Sequence, residues 1–260
     1  MTSTVHTLTL ASGNLDLTLD DQGDGRSFLL LHGGGGPQTV GPFADRLAEQ
    51  RPARVVTPVH PGFGGTVRPD WCTDIGTLAR VYEQLLGELG LSDVTVVGNS
   101  IGGWIAAEMA LLGSDRIRGV VLVNAAGILV PGHPVADPHS LTPAELSALA
   151  FHDPAKFAVD PTALPPGAQA VMTANRAALA VYSGPHAMQD PTLRERLAKV
   201  SHPTLVVWGA SDRVVDTEYG RAFAEAIPDA RFTPIPRSGH LPQIETPAEL
   251  LSAVWEFAAA

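Results

Sequence analysis

Apolar and polar positions along the chain follow two rhythms. "HTLTL" (6–10) and "LDLTL" (15–19) alternate strictly, which predicts an opening β-hairpin with Gly13 and Asn14 between its strands. Short, almost unbroken apolar runs follow: "FLLLHG" (28–33), "ARVVTPV" (53–59), "VTVVGNS" (94–100), "GVVLVNAAG" (119–127) and "TLVVWGA" (204–210). Strands apolar on both faces belong in a parallel sheet covered by helices on both sides. Helical spacing between the runs predicts helices over 43–50, 75–89, 101–112, 219–227 and 247–257. Strand and helix in alternation argue an α/β architecture.

One segment breaks the rhythm. Residues 128–201 hold no good strand, many prolines and scattered helical pieces such as "PAELSALAFH" and "AVMTANRAALAVY". A structureless loop of that length would be unusual. The pattern therefore predicts a core of residues 1–127 and 202–260 interrupted by an inserted helical cap, 128–201.

Composition narrows the function. A chain of 260 residues, 45% hydrophobic and 17% charged, has the make-up of a soluble globular protein. Its net charge is −10, with only two lysines, Lys156 and Lys199, so it lacks a basic cluster to neutralise phosphates and nucleic acid is not an expected partner. Cys72 is the single cysteine, which excludes an internal disulfide and argues against a thiolate metal cluster. The first residues alternate instead of forming a basic start and apolar stretch, and no apolar run approaches the roughly 20 residues that span a bilayer. These features predict a cytoplasmic protein with no membrane partner.

The candidate chemistry centres on "VVGNSIGGW" (96–104), where Gly98-Asn99-Ser100-Ile101-Gly102 fits the G-x-S-x-G elbow between a strand and a helix. As a bare pattern in a glycine-rich chain it is weak; its place at a strand-to-helix junction makes it specific. Such a turn strains the serine backbone and lifts its Oγ above the sheet. A serine nucleophile also needs a base and a group to orient that base. "ARFTPIPRSGH" ends at His240, and "TLVVWGASD" puts Asp212 just past a strand end. Asp216 is a rival acid, although capping of the next helix explains it. The glycine run in "LLLHGGGGP" offers backbone N–H groups for an oxyanion hole, with Gly34 and Ile101 as the expected donors, each commonly worth ~10²–10³ in rate. No G-K-[ST] follows this run and it lacks G-x-G-x-x-G spacing, which argues against a nucleotide cofactor.

With "LHGGGG", "HPGFGGT" (60–66), "GNSIGG", "GASD" and "SGH" followed by "LPQIETP" in this order, the sequence resembles the α/β-hydrolase family over nearly its whole length. The resemblance implies a mostly parallel eight-stranded sheet with a cap inserted after the sixth strand. It also implies Ser100 as nucleophile, Asp212 as acid and His240 as base. No cofactor or metal is expected, since His133, His139, His152 and His186 form no ligand spacing.

Other residues carry two readings. His32 and His60 read as backbone braces. Asn99 either touches substrate or holds a neighbouring loop. Arg176 grips a substrate carboxylate or carbonyl if it faces the pocket, and otherwise lies on a solvated face. Gly35 joins Asn99 and Arg176 as a candidate substrate contact. Met172, Met188, Phe151 and Phe157 line an apolar pocket or pack the cap, and Trp104 reads as core. The expected activity is cleavage of a small-to-medium apolar carboxylic ester through an acyl-enzyme. Carbon–carbon hydrolysis of the meta-cleavage type, cofactor-free perhydrolysis and a non-catalytic ligand-binding role are the alternatives. Against the meta-cleavage group stands "GHLPQIE", which lacks the tryptophan that often follows its histidine.

Overall fold

The computed structural model describes residues 3–260. Strands β1 (Thr4–Leu10), β2 (Gly13–Gly23), β3 (Arg26–Leu31), β4 (Ala53–Pro58), β5 (Val94–Asn99) and β6 (Ile117–Val123) are interleaved with helices α1 (Gly41–Gln50), α2 (Ile75–Glu88) and α3 (Ile101–Leu111). After a two-residue strand β7 (Gly127–Ile128) come α4 (Pro143–Ala150), α5 (Pro154–Phe157), α6 (Pro166–Tyr182), β8 (Gln189–Asp190) and α7 (Leu193–Arg196). The chain then returns as β9 (Thr204–Gly209), α8 (Thr217–Glu225), β10 (Arg231–Ile235), α9 (Pro242–Glu245) and α10 (Pro247–Ala259).

Eight strands form one sheet in the order β1-β2-β4-β3-β5-β6-β9-β10. Strand β2 runs antiparallel to both neighbours and the other pairs are parallel. The unbroken apolar runs divide with period two. Phe28, Leu30, Val121, Val123, Leu205 and Val207 face α1 and α10, whereas Leu29, Leu31, Val120, Leu122, Val206 and Trp208 face α2, α3 and α8. Two buried faces explain why these strands carry almost no polar side chain. Helix α3 lies between the sheet and α2 and is buried nearly all round, which suits its apolar sequence.

Three boundaries depart from the sequence pattern. The first hairpin turns at Ala11–Ser12, and Gly13 (φ 132) already belongs to β2, paired with Leu10 and covered by the Trp71 ring. Strand β6 stops at Val123 because Asn124 adopts φ 47, outside strand geometry. Helix α8 begins at Thr217, since the Asp216 carboxylate accepts from Tyr219 N–H at 2.9 Å and caps it there.

The segment between β6 and β9 is mainly helical. Strand β7 pairs with β8 as a parallel ladder, and a capping box of Thr142 and Glu145 starts α4. Arg196 binds Glu108 of α3 (2.8 and 2.6 Å) and Asp190 (2.6 Å), tying the return of the segment to the core. Among the described residues, no helix is long and apolar enough to cross a membrane.

Candidate active site

Ser100 sits between β5 and α3 with φ 56 and ψ −119, a region that non-glycine residues avoid. The surrounding bonds impose it. Ser100 N–H donates to Val123 O (3.0 Å), and its carbonyl accepts from Trp104 N–H (3.1 Å) and Ala126 N–H (3.2 Å). The flanking glycines are obligatory. A Cβ on Gly98 would lie 2.1 Å from Gly102 O, and one on Gly102 would lie 2.3 Å from Leu31 O. The G-x-S-x-G spacing is thus a packing requirement of strand meeting helix.

His240 and Asp212 are joined. His240 Nδ1 donates to Asp212 Oδ2 at 2.8 Å, with the Asp212 side chain fully buried. That bond leaves Nε2 of the neutral ring as a proton acceptor. The other carboxylate partners are Asn124 Nδ2 on Oδ2 (2.7 Å) and the N–H groups of Val214 and Val215 on Oδ1 (2.8 and 3.2 Å). Asp216, by contrast, is half exposed, caps α8 and accepts from His133 Nδ1 at 2.7 Å. Burial pushes its carboxyl up, and the His133 and Tyr219 bonds outweigh that, leaving it below the ordinary carboxylate range. Ser100 and His240 line the same cavity, and no hydrogen bond joins them in this structure. Such bonds commonly tighten only when substrate binds.

Gly33, Gly34 and Gly35 also line the cavity. Among the described residues, the N–H groups of Gly34 and Ile101 have no protein partner, as an oxyanion hole requires. Ile101 offers its N–H from the first position of α3, while its side chain packs into the core. The glycine loop rests on two stacked imidazoles, His32 and His60, with ring centroids 3.7 Å apart. His32 Nδ1 donates to Gly33 O (2.8 Å) and its Nε2 accepts from His60 N–H (3.0 Å). His60 Nε2 donates to His32 O (2.9 Å), and its Nδ1 accepts from Tyr82 O–H. Burial lowers His32 to about 4 and His60 well below its ordinary value, so both are neutral props at pH 7.

The candidate substrate contacts all border the cavity, and each also has protein partners. Asn99 borders the cavity, but its polar atoms are committed: Nδ2 donates to Val123 O (3.2 Å) and His240 O (3.0 Å), and Oδ1 accepts from Gln243 Nε2 (3.0 Å). These bonds fasten the His240 loop to β5. Arg176 also borders the cavity, with Nη2 donating to His139 O (2.9 Å) and Leu141 O (3.1 Å), so it braces the loop before α4. Gly35 turns its carbonyl to Gln38 Nε2 and Asn175 Nδ2.

Two residues that the sequence did not single out hold the site. Asn124 binds Asp212 through Nδ2 and accepts from Gly209 N–H (3.1 Å) through Oδ1. An asparagine interrupting an apolar run, a residue that tolerates positive φ, was its one signal. Glu245 accepts from Gly239 N–H (2.6 Å), His152 N–H (2.9 Å) and Asp153 N–H (3.1 Å), joining the His240 loop to the segment between β6 and β9. His240 N–H itself donates to Ala150 O at 2.6 Å.

The cavity above Ser100 has a volume of about 270 Å³. Its far wall is apolar and comes from the segment between β6 and β9, including Val135, Leu146, Phe151, Met172 and Met188. Phe157 stacks on Phe151 behind that wall, and Trp104 packs in the core under Gly127. Among the described residues, no three His, Cys, Asp or Glu side chains gather as a metal site.

A sequence model described as the alpha/beta hydrolase family matches residues 28–253. The chain is similar to 2-hydroxymuconate semialdehyde hydrolase of Pseudomonas putida, at 29% identity over 240 residues covering 87% of this chain and 85% of that protein. It is 31% identical to lipase 3 of Moraxella sp. (strain TA144) over 261 residues, covering 93% of this chain and 80% of that one. Among solved structures, a thermophilic esterase from Thermogutta terrifontis (malate bound) matches with a TM-score of 0.79 at 26% identity, covering 100% of this chain and 98% of its own.

Proposed function

The chain belongs to the alpha/beta hydrolase family and has that family's fold, and on that footing we propose that it is a serine esterase acting on small-to-medium apolar carboxylic esters. The observation that carries this reading is the convergence of strained Ser100 and Asp212-bound His240 on one apolar cavity. His240 Nε2 takes the Ser100 proton as Oγ attacks the ester carbonyl, and the Gly34 and Ile101 N–H groups hold the developing oxyanion. Asp212 keeps the imidazole in the correct tautomer and stabilises its charged form. The proton passes to the departing alkoxide, leaving an acyl group on Ser100. Water, deprotonated by His240, then releases the acid. Residues 128–201 act as the cap, closing an apolar wall over a substrate that carries no charge near the reacting carbon.

Support for the ester comes from the lipase and esterase relatives. A second reading, hydrolysis of a carbon–carbon bond, is favoured by similarity to 2-hydroxymuconate semialdehyde hydrolase. Turnover of p-nitrophenyl esters of rising acyl length separates the two. The esterase reading expects rates that peak at one chain length and fall by at least about 10⁴ in Ser100→Ala. Turnover of 2-hydroxymuconate semialdehyde without ester turnover would select the second, and full activity of Ser100→Ala would refute both.

A further inference from the structure

Helix α6 meets the core with four buried residues, Asn175, Ala178, Leu179 and Tyr182, spaced as one helical face. All four land on the two glycine loops of the core. A Cβ on Gly36 would lie 2.4 Å from Asn175 Nδ2, one on Gly34 2.7 Å from Leu179 Cδ2, and one on Gly62 3.1 Å from the Ala178 Cβ. Tyr182 O–H donates to Pro61 O at 3.0 Å. The loops are therefore glycine-rich partly to admit this helix.

Asn175 is the polar member of that face and is 2% exposed. Its Nδ2 donates to Gly35 O (2.9 Å) and its Oδ1 accepts from Gly64 N–H (2.8 Å), so one side chain bridges both loops. A buried amide left unpaired is costly, which gives these bonds a definite geometry. Their effect runs through consecutive peptide planes. Asn175 holds the carbonyl of the Gly35–Gly36 peptide, and the N–H of that same peptide donates to Gly33 O at 3.0 Å. Gly33 O belongs to the peptide whose N–H is that of Gly34, and His32 Nδ1 holds this carbonyl from below.

We infer that Asn175 is a positioning residue for the oxyanion hole: through the Gly35–Gly36 peptide it orients the Gly34 N–H, so the hole is complete only with α6 seated. This rests on the serine-hydrolase reading. An aliphatic trifluoromethyl ketone is the probe. Ser100 Oγ adds to its carbonyl carbon, the hydroxyl proton passes to His240, and the carbonyl oxygen becomes an oxyanion held as in the transition state. Loss of one such donor typically costs 10²–10³ in rate, so misorientation by Asn175→Leu is expected to lower kcat about 10- to 100-fold. The ketone Ki should rise by the same factor, with KM within about threefold, because substrate in the ground state draws little on the hole. Asn175→Asp keeps an acceptor for Gly64 N–H but loses the donor to Gly35 O, and should show the same split. A merely structural role would change Tm, or kcat and KM together, and leave the ketone affinity in step with KM; that result overturns the inference. Should the variants not fold, exchange of the ¹⁵N-labelled Asn175 side-chain amide in the wild type reads the same linkage. It should slow when the ketone binds, and unchanged exchange overturns the inference. A wild type that the ketone does not inhibit refutes the serine reading instead.

Discussion

The two walls of the cavity are built differently. On the core side Asp212 and His240 are buried, and the candidate groups are held more than once: Asp212 by four hydrogen bonds, the His240 loop through Asn99, Glu245 and Ala150, and the glycine loop by stacked imidazoles. On the side formed by the segment between β6 and β9 the lining is mostly apolar, with Met172 36% exposed. Its polar ties to the core are spread along the segment and include Asn175, Tyr182, His133, Arg196 and the Ala150–Asp153 backbone. The difference assigns rigidity to the chemistry and adaptability to the fit. Substitutions in the core wall should remove catalysis, whereas cutting a tie from the insertion should do less.

The largest expected effect separates two aspartates four positions apart. Asp212→Asn should lower kcat on the order of 10⁴, since the imidazole loses its tautomer control. If steady-state kinetics show Asp216→Asn to be the damaging change instead, the acid is misassigned. Next comes acid sensitivity of the core wall. His32 titrates in the native state at about 4, so between pH 6.5 and 4 the unfolded chain binds a proton that the folded one refuses. Stability therefore falls as pH drops through that window, by about 3 kcal/mol from His32 alone, and buried His60 acts in the same direction. Urea unfolding at pH 7 and pH 4.5 measures this, and His32→Asn should flatten the dependence; an equal slope in the variant would contradict it. The smallest effect is that of Asp216→Asn on stability, at most about 1 kcal/mol, because asparagine caps α8 as well and the His133 pair is solvent-screened.

Much of the core was legible because its strands obey one rule: buried on two faces, they are apolar at nearly every position. Ser100, Asp212 and His240 were legible for a related reason. Ser100 and Asp212 follow such runs within a few residues, and His240 follows the edge strand β10, all at the side where parallel strands end. What the pattern hid depends on backbone partners distant in the chain. Glu245 meets three N–H groups, and an N–H has no signature in sequence. Asn175 stood beside the more conspicuous Arg176, yet it is the asparagine that enters the core and the arginine that stays exposed. Nothing in the sequence marked the bond between Asn99 and the His240 carbonyl, which lies 141 positions away. The early end of β6 was hidden likewise, since Ala125 and Ala126 prolong the apolar run beyond the turn at Asn124.

The central claim is that Ser100 is the nucleophile. Intact mass spectrometry after incubation with a small fluorophosphonate tests it most directly, on wild type and on Ser100→Ala. One adduct on the wild type, mapped to Ser100 and absent from the variant, is the predicted result. A folded wild type that stays unmodified, or an adduct that persists in Ser100→Ala, would contradict the account.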